Sequence, residues 1–149
     1  MKIYLTIIII FLSNMSFAQN AKVEKFDFCA IITEMFESDQ KYRSMNKIKT
    51  FEKQKSTKVY DSLMKLQTVI DNMNTEKLLK LVKEKGWPDQ RKLNCEREIF
   101  PMIIFRHSQR QYFDEIANIL EEELKENRIS DWEYKMINNH LNGRPKKIN

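Results

Sequence analysis

Two histidines and a few carboxylates stand at helical spacings that turn them inward, and inward-facing titratable groups are where acid–base chemistry is built. Asp39 falls in a stripe between Met35 and Tyr42, with Arg43 one turn further on. A carboxylate facing a core needs a partner or gives up its charge. One reading is a local pair with Arg43 or a bond to the end of another helix; the other makes Asp39 a general base or a ligand in a pocket. His107 closes an apolar run, Ile99 to Phe105, and lies one turn beyond Ile103 and Phe100, on the stripe that faces the core. A neutral imidazole there joins two helices by donating one bond and accepting another, and the same ring suits proton transfer near neutral pH. His140, on the inner side of the last helix near Met136, Ile137 and Leu141, is a candidate partner for His107, and Asp71 adds a third polar point.

Other chemistries lack their residues. Two cysteines and two histidines have the types of a tetrahedral zinc site, but no Cys-x-x-Cys or His-x-x-x-His pair anchors one, so no metal is expected. There is no Gly-x-Ser-x-Gly elbow and no His-Glu-x-x-His helix. Two glycines in 149 residues leave no loop to cradle a phosphate, and no cofactor is expected.

The same scarcity of glycine and proline argues against a strand-and-turn protein and predicts an all-α chain of about six helices. A first helix over about 22–46 carries Phe28, Ile32, Met35 and Tyr42 on one face. A second over about 57–73 carries Val59, Leu63, Leu66, Ile70 and Met73. Asn74 is placed to cap a third, with Leu78, Leu81 and Val82, which stops at the Gly86-Trp87-Pro88 turn. Asn94 is placed to cap the apolar helix around which the others pack; Pro101 predicts either a kink there or a helical start that leaves Ile99 and Phe100 outside. A fifth helix over about 109–126 buries Phe113, Ile116, Ala117, Leu120 and Leu124 and exposes Glu121, Glu122 and Glu123. Ser130 and Glu133 form a capping-box pattern for a last helix over about 131–141, and 143–149 reads as a frayed basic tail.

Lys2, the apolar run Ile3 to Leu12 and Ser16-Phe17-Ala18 form the pattern of a secretory signal peptide, 1–18, ahead of a single helical domain, 19–149. The apolar run is too short to span a bilayer. Cleavage lowers the net charge from +5 to +4, a small excess that, with export, argues against nucleic acid as a partner. The basic stretch from Lys47 to Lys58 reads as a solvated connection. Export places Cys29 and Cys95 in an oxidising compartment. They admit one pairing, while the neighbours Phe26, Phe28 and Ile32 would equally suit a buried free thiol at Cys29.

Asp39-Gln40-x-x-Arg43, Asp71-x-x-Asn74, Gly86-Trp87-Pro88 and an apolar helix ending in His107, in that order, resemble a bacterial family of helical domains of unknown function, over about 32–145. The resemblance implies no reaction, but it adds Trp87 to Asp39, Arg43 and His107 as residues of interest. Family members carry a glycine soon after the tryptophan-proline turn, an Asp-Arg pair in the last helix and a Tyr-Gly-Thr-Gln-like segment; here no glycine lies between Pro88 and Asn94, Asn139-His140 occupies the last helix, and the end is Gly143-Arg-Pro-Lys-Lys-Ile-Asn149. The expected function is a non-catalytic module that binds a protein, peptide or glycan of the cell envelope. The alternative is a hydrolase-like enzyme with Asp39 and His107 as acid and base, and Arg43 or His140 holding an anionic group.

Overall fold

Long stretches without glycine or proline are free to continue as helix, and where these two residues do occur they mark the joints. The computed structural model describes residues 27–43 and 57–144. The expected signal peptide, Phe26, most of the basic stretch 47–58 and residues 145–149 lie outside them. Five α-helices run through the described residues, which contain no strand: α1, Phe28–Asp39; α2, Thr57–Lys85; α3, Pro101–Arg106; α4, Phe113–Lys125; and α5, Asp131–Leu141. A 3₁₀ turn, Arg110–Tyr112, leads into α4. None of these helices is long and apolar enough to cross a membrane.

Several joints differ from expectation. Asp27 caps α1 by accepting from Ala30 N, and the helix ends at Asp39 rather than near residue 46. The second and third helices are one, because nothing between Thr57 and Lys85 breaks the backbone ladder and Asn74 does not cap. Its amide reaches across to α1, donating to Met35 O at 3.0 Å and Ser38 Oγ at 3.0 Å. The buried face of α2 is also turned from the expected one. Leu66 and Met73 are more than half exposed, and the inward stripe reads Gln67, Asp71, Asn74, Thr75, Leu78 and Val82. Its first half is polar because it meets the carbonyl end of α1; its second half is apolar because it meets the core.

Asn94 caps no helix either, and 93–100 is irregular chain. Pro101 takes the first position of α3, where its missing N–H is unwanted anyway, with Ile99 and Phe100 outside. That was one of the two outcomes a proline there allows. The short α3 is nevertheless central: it packs against α1, α2 and α5, and Ile104 and Phe105 are fully buried. In α4, Ile116 and Leu120 face inward as expected, Phe113, Ala117 and Leu124 are only partly buried, and Ile119 and Glu123 are buried, against expectation. It accepts from Trp87 N at 2.8 Å and from Arg128 Nε at 2.7 Å, closing the turn after α2. Ser130 and Glu133 form the capping box, and α5 spans 131–141 as read from the sequence.

Cys29, at the start of α1, is bonded to Cys95, ahead of α3, closing a span of 66 residues. Converting both to serine is expected to lower unfolding free energy by about 2–4 kcal/mol. Gly86 sits at φ +80, and a Cβ there would lie 3.1 Å from Arg128 Cδ. Gly86→Ala is therefore expected to lose about 1–3 kcal/mol. Denaturant titration of oxidised protein measures both.

Candidate functional site

The carbonyl end of α1, the polar half of α2 and the last residue after α3 converge on one cluster. Asp39, on the final turn of α1, is 1% exposed. A carboxylate so far from water needs its charge met on several sides, and three groups meet it. Arg43 Nη1 donates to Oδ1 at 2.9 Å and Gln40 Nε2 to Oδ2 at 2.6 Å. His107 Nδ1 lies 2.8 Å from Oδ1 and 3.0 Å from Oδ2. Gln67 Nε2 donates at 2.8 Å to the backbone oxygen of Asp39, one of the carbonyls a helix end leaves without an internal partner.

Arg43 also faces Asp71, buried on α2: Nη1 donates to Oδ1 at 2.7 Å, and Nη2 pairs with Oδ2 in a forked contact. Gln67 Nε2 reaches the same Oδ1 at 3.0 Å, while Gln67 Oε1 accepts from Tyr42 N at 3.1 Å. The local Asp39–Arg43 pair expected as one reading of the sequence is thus present, but it is one link of a longer chain. Two buried aspartates share one guanidinium, and His107 completes the row.

His107 follows α3, and its side chain is one-quarter exposed. The bond to Asp39 takes up Nδ1. A carboxylate accepts, so Nδ1 carries the hydrogen and, in the neutral ring, Nε2 keeps its lone pair. Nε2 has no hydrogen-bond partner among the described residues. The result is an imidazole held by a buried carboxylate on one side and open on the other, the arrangement that lets a ring accept a proton at a fixed point.

The other residues singled out from sequence stand apart. His140 is not the partner of His107: its Nε2 donates to Ser108 O at 3.0 Å and its Nδ1 accepts from Arg144 Nε at 3.2 Å, so both nitrogens are occupied. Burial holds its proton affinity below the usual histidine value, with the nearby positive charge of Arg144 adding to the effect. Trp87 is a core residue against the Phe105 ring at 5.8 Å, with Nε1 donating to Glu133 Oε1 at 3.3 Å. Arg43 spends both terminal nitrogens on the two aspartates. Gln67 is the member that sequence reasoning missed. Its signal was the i, i+4, i+7 spacing of Gln67, Asp71 and Asn74, hidden by the competing apolar spacing of Leu66, Ile70 and Met73. Among the described residues no group of three or more His, Cys, Asp or Glu side chains could hold a metal; between Asp39 and Asp71 a guanidinium occupies the place a cation would take.

Removing Arg43 leaves two buried carboxylates without their countercharge, so Arg43→Met is expected to lose about 3–5 kcal/mol. His107→Gln, which leaves Asp39 bonded to Arg43 and Gln40, is expected to lose about 1 kcal/mol, measured in the same urea series. For His140 the unfolded chain binds a proton near pH 6.5 and the folded chain only at lower pH. Its contribution to stability is complete above pH 6.5 and declines as pH falls below that value. Unfolding midpoints at pH 7.5 and 5.5 should therefore fall less in His140→Gln than in the wild type. Searches with this sequence and fold find no matching protein-family model, no matching curated protein and no matching solved structure.

Proposed function

We propose that the chain is an exported, single-domain helical protein in which His107, oriented by Asp39, transfers protons in a hydrolytic reaction. The observation that carries this reading is the 2.8 Å contact of Nδ1 with a sealed carboxylate, in a partly exposed ring whose Nε2 has no partner among the described residues. In such a step Nε2 takes a proton from water, the water oxygen bonds to the electrophilic centre, and the bond to the leaving group breaks. The leaving group then recovers the proton from Nε2. Asp39 remains ionised and steadies the imidazolium, while Arg43, Asp71 and Gln67 keep the carboxylate in place. The Cys29–Cys95 disulfide supports the assignment to an oxidising compartment, as does the signal-peptide pattern of 1–18.

A second observation favours a different reading. Leu66, Val69 and Met73, more than half exposed, lie at i, i+3 and i+7 on one face of α2. Such a stripe suits a non-catalytic module that docks an apolar segment of an envelope protein or peptide.

Ester, phosphomonoester, peptide and glycoside substrates with chromogenic leaving groups separate the two. The hydrolytic reading expects turnover of one class, reduced about 10²-fold or more in His107→Gln while folding is retained. No turnover above the spontaneous rate with any class, together with saturable peptide binding lost in Leu66→Glu and Met73→Glu, would establish the docking module instead.

A further inference from the structure

Of the seven arginines among the described residues, three are paired with carboxylates. Arg43, Arg91 and Arg128 each pair with a carboxylate at the surface of the core. Arg106, the last residue of α3 and the neighbour of His107, does not. Its Nε is buried with no hydrogen-bond partner, and its guanidinium pairs with no carboxylate among the described residues. A buried N–H left unmet is costly, by about 1–3 kcal/mol, so a group able to reach it is favoured.

The surroundings of Arg106 are also basic. Arg144, just past α5, donates from Nη2 to Arg106 O at 2.7 Å and from Nε to His140 Nδ1 at 3.2 Å. His140 in turn donates to Ser108 O at 3.0 Å. Side chains from the end of α5 therefore grip the backbone on both sides of His107, and Arg144 is held there by a carbonyl and a neutral ring rather than by an acid. The positive charges of Arg144 and Arg106 both act on His140. The gathering of cations is partly explained by the negative carbonyl end of α3. A carbonyl end accounts for the charge of Arg106 but not for its unmet Nε.

We propose that Arg106, with Arg144 beside it, is a docking site for an oxyanion, a phosphate or carboxylate group of the ligand, at the end of α3 where His107 turns outward. A guanidinium fork is matched by two oxygens of one such group, and a small turn of the side chain that uncovers Nε would let it take part. The site takes over the anion-holding role that Arg43 and His140 cannot perform, since the first is committed to two aspartates and the second is neutral with both nitrogens occupied. It gives the proton-transfer reading a substrate class, an anionic molecule held by the residue that precedes His107, and rests on that reading for the chemistry but not for the binding.

Titration of the full chain with inorganic phosphate, and separately with acetate, at constant ionic strength set by chloride, tests it by backbone and imidazole NMR. Saturable shifts centred on Arg106 and His107 are expected, with apparent Kd raised about tenfold or more in Arg106→Gln. Arg106→Lys, which keeps the charge and loses the fork, is expected to fall between the two. Tighter binding of phosphate or of acetate identifies the preferred oxyanion. Linear, unsaturating shifts, or equal affinity in wild type and Arg106→Gln, would overturn the proposal. Binding without hydrolysis of any substrate would sink the catalytic reading and leave the oxyanion site standing; hydrolysis of uncharged substrates without phosphate or acetate binding would do the reverse.

Discussion

One carboxylate removed from water organises this fold. An ionised Asp39 in the interior would be intolerable alone, and the structure surrounds it with a guanidinium and an amide from the residues just after α1 and an imidazole from the end of α3. Each of those groups must then be supported in turn. Arg43 is anchored by Asp71, Asp71 by Gln67, and Gln67 by the backbone of Asp39 and Tyr42. The network closes on itself, so every buried polar atom of Asp39, Gln67 and Asp71 that it contains works against a partner. A closed network of this kind specifies one register between α1 and α2, since sliding either helix by a turn would separate several charges at once.

This explains why α2 has a buried face of two kinds. Its C-terminal half, Leu78, Leu79, Leu81 and Val82, enters the apolar core with Met102, Phe105 and Ile116. Its N-terminal half meets the end of a helix, where unsatisfied carbonyls make an apolar surface costly and amide side chains welcome. Helix α3 lies across the division. Ile104 and Phe105 belong to the core, while His107, two residues on, belongs to the polar cluster. The most apolar segment thus delivers a titratable ring to the boundary between the two regions.

How far the fold and site can be read from sequence follows the same division. Asp39 and His107 are legible because each interrupts an apolar stripe, and a polar residue out of place is a strong signal. The α5 capping box is legible because its four residues are local. The α2 face is not, because two stripes compete over 63–74 and only the position of α1 decides between them. Leu66 and Met73 lose to Gln67 and Asn74 for a tertiary reason that no periodicity contains. Glu123 misleads in the same way: within Glu121-Glu-Glu123 one acid is inward, selected by Trp87 N and Arg128 from elsewhere in the chain. Arg106 has no sequence signal at all, because what distinguishes it is an Nε without a partner among the described residues.

The disulfide shortens the route between the two ends of the site. Along the backbone Asp39 and His107 are 68 residues apart. Through the Cys29–Cys95 bridge the path is ten residues on one side and twelve on the other. For a flexible chain, that difference in loop length corresponds to about 1 kcal/mol of closure entropy. A contact that is long-range in the reduced chain is therefore local in the oxidised one, and contacts of low sequence separation form fast. Formation of the bridge would set the order of assembly, with α1 and the segment before α3 tethered first and the carboxylate meeting the imidazole across a short loop afterwards.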